Sequence, residues 1–354
     1  MITLSIIKVF IPAATAFIVG IALAPILTHH LFKYRVWKKT GGKIAFDGST
    51  AIEFGKLHAE SETSTPRMGG ILIWATVFIV TVGMWSIAQV FSTPLTEKLD
   101  FLSRSQTWIP LFTLLAGAFM GFANDLFDIH PSGSRGVLLR TRLLFVTLVS
   151  AFIGWWFYAK LDITEIGIPG DGTLFVGVLI IPLFILITLA LYAGGIIDGI
   201  DGLAGGVFGS AFMAYAGIAY FQNQIDLSAF CATLAGAILA FLWFNIPPAR
   251  FWMTETGTMG LTMTLAVIAV MTDTPGEGYG IAALPIIAFL LVITVVSNII
   301  QVISKRFRGK KVFRIAPLHH HFEAIGWPSY KVTMRYWIIS IVCAIVGMTV
   351  ALLK

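Results

Sequence analysis

Two short acidic stretches carry residue types suited to phosphate chemistry. Asn124 and Asp125, with Asp128, close the run GFANDLFDIH, and Asp198 with Asp201 lies in GGIIDGIDGLAGG. Glycines beside carboxylates let the chain turn tightly and expose N–H groups, and the i, i+3 spacing puts Asp198 and Asp201 on one face if the segment is helical. Carboxylates placed this way can reach phosphate oxygens through a hard cation. Mg2+ suits them, because it binds through one or two carboxylates and keeps its other positions for water and substrate phosphates. For any one aspartate, a solvated loop cap is the plain alternative.

His319, His320 and His321 in APLHHHFE place three imidazoles side by side, which offers neutral donors, cations for phosphate or metal ligands in one stretch. A capped helix start or a set of loop hydrogen bonds would account for them without chemistry. Arg67 in STPRMGG presents a planar fork for phosphate, although proline and glycine also punctuate the edge of an apolar run. The basic run KRFRGKK, 305–311, reads as a topology and lipid-contact signal with no catalytic part. Glu255 in TETGT is a further carboxylate, and His29, His30, His58 and His130 read as ordinary loop or interface histidines. Cys231 and Cys343 fall inside apolar runs with no metal-ligand spacing, which suggests neither a disulfide framework nor a zinc site.

What must position these residues is a set of helices in lipid. The 354 residues are 57% hydrophobic and only 12% charged, about half the charge of a soluble domain. Ten apolar runs can be marked, at 4–32, 68–91, 108–122, 143–158, 174–193, 203–221, 227–246, 259–271, 281–303 and 336–353. Most approach the ~20 residues that span a bilayer as a helix; the eighth is short. If all ten cross, 19 of the 24 lysines and arginines fall in the odd-numbered loops and their flanks. Only Lys98, Arg104 and Lys160 fall in the even-numbered ones. The positive-inside rule then predicts cytoplasmic odd loops and both termini outside. Every candidate residue named above lies on the cytoplasmic side of that scheme, which predicts a cleft there.

The expected architecture is an all-α integral membrane protein of one domain, 1–354, without internal repeats. The first run lacks a basic leader and a cleavage site, so it reads as a retained span. Lys8 is the only charge placed within a span, and the loop 33–67, with Gly41 and Gly42, is expected to be the most mobile element.

In order along the chain, TPRMGG, GFAND, IIDGIDGLAGG, FLWFNIPPARFWMTETGTMGL and APLHHHFEAIGWP resemble the phospho-N-acetylmuramoyl-pentapeptide transferases, over about 58–339. APLHHHFE followed by GWP is the most specific element. The resemblance implies a ten-helix enzyme of the bacterial cytoplasmic membrane. It would move phospho-MurNAc-pentapeptide from UDP-MurNAc-pentapeptide to undecaprenyl phosphate, with Mg2+ as cofactor, membrane lipids around it and no nucleic-acid partner. The state of assembly stays open, a homodimer included. The family's catalytic positions carry over to Asp125, Asp198, Asp201, His319, His320 and His321, its metal ligands to Asp198 and Glu255, and substrate contacts to Arg67, Asn124 and Gly195.

Several of these positions depart from the family pattern. An Asp-Asp pair reads Asn124-Asp125, a lysine four residues after its first member is Asp128, a metal-binding aspartate is Glu255, an asparagine is Gly195, and a threonine is Arg67 with the lysine before TPxMGG missing. An amide at 124 cannot act as a general base. Two other readings stay open: a relative that transfers a different UDP-N-acetylhexosamine 1-phosphate, and a lipid- or nucleotide-binding protein of the same fold without turnover.

Overall fold

The computed structural model describes residues 2–38, 55, 62–130, 136–170, 172–273 and 278–353. Ten helices among them are long and apolar enough to cross a membrane. In chain order the elements are α1 (Ile2–Lys33), α2 (Ile71–Val90), the short α3 (Pro94–Leu99), α4 (Trp108–Ile129), α5 (Leu139–Lys160), a two-stranded hairpin β1 (Glu165–Ile168) and β2 (Gly172–Phe175), α6 (Ile180–Gly194) and α7 (Leu203–Phe221). They continue as α8 (Ile225–Asn245), α9 (Thr254–Met271), α10 (Gly280–Ile287), α11 (Phe289–Arg308), the short α12 (Leu318–Ala324) and α13 (Ser329–Leu352). Most of the loop expected to be mobile, with Lys39, Lys43, Lys56 and His58, and also Arg135, lies outside the described residues.

The bundle is layered by burial. The apolar windows of α7, α8 and α9 are 78%, 83% and 89% buried, against 22% for α1 and 28% for α5 and α13, so three central helices are sheathed by lipid-facing ones. Central position explains why the eighth run looks short in the sequence. Helix α9 is protein-enclosed and tolerates threonine: Thr262 and Thr264 return their hydroxyls to the carbonyls of Thr258 and Gly260 at 2.8 and 2.7 Å, leaving no donor orphaned. The helix therefore starts at Thr254, five residues before the apolar run does.

Run 281–303, read from sequence as one span, is two helices. Proline at 285 supplies no N–H for the helix ladder, α10 ends at Ile287, and the chain restarts as α11 after Ala288 (φ −92°, ψ 21°). Gly309, at φ +64°, closes α11.

Helix α4 lies directly against α9 because both present glycine. A Cβ on Gly117 would stand 2.8 Å from Gly260 Cα, and one on Gly121 would stand 1.9 Å from the Glu255 carbonyl oxygen. Such backbone-to-backbone approach is the standard device for helix contact in lipid. Here it brings the last turns of α4 onto the first turn of α9.

Contacts near the start of α1 and the end of α13 join the ends of α8 and α9 remote from those turns. Lys8 of α1 pairs with Asp226 at the start of α8 at 2.5 Å, and the Tyr279 N–H donates to the Ala351 carbonyl at 2.9 Å. Lys8 is thus a paired charge. Asp273 ties the same end together by accepting from the N–H of Gly167 in β1 at 2.8 Å and of Ile281 in α10 at 3.0 Å. Desolvation pushes this carboxyl up to about 6, and the two donors only partly counter it.

Candidate active site

Asp125 is fully buried where α4 meets α9. Its Oδ2 accepts from the Thr256 N–H at 2.8 Å, from the Thr256 hydroxyl at 2.6 Å and from the Thr254 hydroxyl. It is thereby an N-terminal cap supplied by another helix, with its charge at the positive end of the α9 dipole. Its Oδ1 faces Arg67 Nη2 at 3.5 Å, and the same nitrogen reaches Asp128 at 3.2 Å. Lys38 meets the same Asp128 oxygen at 3.4 Å. Burial works against the charge on Arg67, but Asp125 and Asp128 outweigh it and hold the guanidinium above its ordinary pKa.

Thr254 joins three loops. It stands at φ +54°, a region β-branched residues avoid. Its N–H donates to Asp198 Oδ2 at 2.7 Å, and its hydroxyl accepts from the Met68 N–H at 3.1 Å while donating to Asp125. Met68 is itself at φ +65°. Strain of this kind persists only where surrounding contacts over-determine the backbone, and it collects at functional sites.

The DGIDG segment is a turn, not a helix, which changes what the i, i+3 spacing means. Asp198 is directed to Thr254. Asp201 is used by the α8–α9 connection, its Oδ1 accepting from Trp252 Nε1 and its Oδ2 from the Ala249 N–H, both at 2.9 Å. Gly202 at φ +75° completes the turn, donating to Asn245 Oδ1 and accepting from Trp337 Nε1, again at 2.9 Å. Both aspartates are thus used by the segment 249–254, Asp198 through its bond from Thr254 and Asp201 through those from Ala249 and Trp252.

The three histidines divide. A Cβ on Gly199 would lie 2.5 Å from His319 Nε2 and 2.6 Å from His320 Nε2, so both rings are laid against the DGIDG turn. His320 and His319 are buried, with ring centroids 4.4 Å apart. His320 Nδ1 meets Glu323 Oε2 at 2.7 Å, and Glu323 Oε1 accepts from the Ser329 hydroxyl at 2.6 Å, which fixes the ring with Nε2 toward the turn. His321 points elsewhere, accepting from the Arg314 N–H at 3.2 Å beside Phe313.

Asn124 Oδ1 accepts from the Val137 N–H at 3.0 Å and so organises the chain ahead of α5. Gly195 packs beside Thr258, with no polar group to offer a ligand beyond its backbone. Glu255 forms an ion pair with Arg142 of α5, and its second oxygen lies 3.5 Å from the Tyr192 hydroxyl of α6.

Arg142, Tyr192, Thr254, Thr256 and Glu323 are site residues that sequence reasoning did not assign. Arg142 was legible only as one more membrane-flanking cation. For Glu323 the sequence does hold a signal, its i, i+3 spacing from His320.

These contacts bear on the Mg2+ expectation through the donor set. Among the described residues no three His, Cys, Asp or Glu side chains converge as a metal cage. Both Asp125 oxygens and both Asp201 oxygens already accept from protein donors, Glu255 faces a guanidinium, and position 124 is an amide. Of the two expected ligands, Glu255 is paired with Arg142 and Asp198 Oδ2 accepts from the Thr254 N–H, so the pair as placed does not fit a divalent ion held in the expected way.

Residues 107–273, which contain α4 through α9, match the glycosyl transferase family 4 domain. The chain is also similar to the phospho-N-acetylmuramoyl-pentapeptide-transferase of Anoxybacillus flavithermus, 31% identical over 341 residues, 95% of each chain. The enzymes of the same name from a Geobacillus species and from Bacillus subtilis are 33% and 29% identical. They cover 85% and 94% of this chain, and 88% and 94% of their own length.

Proposed function

The chain belongs to the phospho-N-acetylmuramoyl-pentapeptide-transferase family, and from that premise we propose that it transfers phospho-MurNAc-pentapeptide from its UDP carrier to undecaprenyl phosphate. An oxygen of the lipid phosphate forms a bond to the sugar-linked phosphorus of the donor. The phosphoanhydride bond breaks, UMP leaves with the bridging oxygen, and the lipid-linked product is lipid I.

The observation that carries this reading is the meeting of Arg67, Asp125, Asp198, His319 and His320 at one end of a membrane bundle, where an anionic lipid head group and a soluble nucleotide can both arrive. The attacking phosphate needs no base, because a phosphate monoester with a second pKa near 6 is already largely dianionic at pH 7. An amide at 124 and a saturated Asp125 are compatible with that. The protein's task is positioning and charge stabilisation. Arg67 and the paired histidines face the phosphates, Asp198 orients the turn beneath them, and Asp125 holds Arg67 and the start of α9 in place.

The charge asymmetry of the loops supports a cytoplasmic site in the bacterial inner membrane. The deciding assay follows UMP release and separates the lipid products formed from UDP-MurNAc-pentapeptide and from competing UDP-N-acetylhexosamines. Lipid I is the expected product. A product from another sugar alone, or nucleotide binding with no UMP, would replace this reading with one of its two alternatives.

A further inference from the structure

Glu255, one of the two carboxylates expected to hold a cation, is instead matched by a guanidinium, and so is Asp125 beside it. Three consecutive residues at the start of α9 show it. Thr254 and Thr256 cap onto Asp125, which faces Arg67, and between them Glu255 faces Arg142. Two arginines from different segments, the stretch before α2 and the first turn of α5, thus converge on one helix terminus through separate carboxylates.

Neither guanidinium is used up. Each has five N–H donors in a planar fork. Arg67 makes its ion pairs through Nη2 and Arg142 through Nη1, while Nε of both is buried with no acceptor among the described residues. The side chains are 14% and 17% exposed, so neither guanidinium is wholly closed off. The carboxylates beneath them fix their rotamers and lower the cost of holding the arginines together.

We propose that Arg67 and Arg142 form a resident cationic clamp for the diphosphate of a nucleoside diphosphate, so that this chain binds its donor without a divalent cation. Guanidinium forks pair bidentately with phosphate oxygens and carry the charge a hard ion would otherwise supply. The inference rests on the donor assigned under the proposed function, but binding alone tests it.

The probe is UDP, titrated calorimetrically into the purified full chain in detergent, with Mg2+ or with excess EDTA. The expected result is a Kd that differs by no more than about twofold between the two conditions. The double variant Arg142→Gln/Glu255→Gln, which leaves no uncompensated buried carboxylate, is expected to weaken UDP binding about tenfold or more in both. Binding that requires Mg2+, no UDP binding in either condition, or a double variant that binds UDP as the parent does would each overturn the clamp. UMP release is scored separately. Metal-independent UDP binding without UMP release leaves the clamp standing and removes the transferase reading, whereas UMP release together with UDP binding that requires Mg2+ does the reverse.

Discussion

The backbone N–H of Thr254 donates to Asp198 Oδ2 at 2.7 Å while Thr254 holds φ at +54°, so a strained residue at the head of α9 is fastened to the turn that follows α6. The Thr254 hydroxyl also serves Met68 and Asp125. Thr254→Val keeps the shape and leaves those two partners unmatched. It is expected to cost about 2–4 kcal/mol of stability in detergent, read as a lowered unfolding temperature, with transfer falling at least tenfold. Thr254→Ser keeps the hydroxyl, and its activity is expected within about threefold of the parent.

Asp125→Asn leaves Arg67 short of one carboxylate in a buried setting. A loss of about 3–5 kcal/mol is expected. Asp125→Asn combined with Arg67→Gln is expected to lose less than the two single changes together, because the residues share one network. Strict additivity in thermal unfolding would show that the pair is not coupled.

Glu323→Gln removes the charge behind His320 without changing its volume. If that carboxylate orients the ring, kcat falls about tenfold to a hundredfold with KM little changed. Gly199→Ala drives a methyl group into both histidine rings and is expected to be the more damaging change. An active Gly199→Ala enzyme would mean that the rings do not need this placement.

Asp273 makes stability depend on pH at the far end of the bundle. Its carboxyl is raised from 3.8 to about 6 in the folded chain, so the folded state holds the proton more tightly than the unfolded one. Stability contributed by the protonated form is full below about 4, declines as pH rises toward 6 and is lost above it, by about 2–3 kcal/mol in total. Comparing unfolding temperatures of the parent and Asp273→Asn from pH 4 to pH 7 isolates this contribution; parallel curves would refute it.

Sidedness can be read with single cysteines at exposed positions. Val312→Cys, in the connection after α11, should react with an impermeant maleimide in inside-out vesicles, and Leu95→Cys, in α3, in right-side-out ones. The reverse pattern would place the site outside the cell.

Composition alone settled that the chain lives in lipid, because so few charges among so many apolar residues leave no soluble alternative. The same run lengths that mark a span in the sequence mark one in the structure, since both reflect the thickness of the bilayer. Helix α9 and the α10–α11 break were less legible. A protein-enclosed helix need not be uniformly apolar, and a proline in an apolar stretch does not announce whether it bends a helix or ends it.

At the site, residue types named the actors and the tertiary structure decided their parts. Asp125, Asp198, His319 and His320 are visible in the sequence as chemistry-bearing groups near span ends. Nothing in their spacing shows that Asp201 is taken by Trp252 and Ala249, that His321 turns away, or that Glu255 and Arg142, 113 positions apart, form an ion pair. Those outcomes depend on which helices touch, and Gly121 against the Glu255 carbonyl shows why. Contact at that distance is set by the absence of a Cβ on Gly121, a fact about packing that no local pattern encodes.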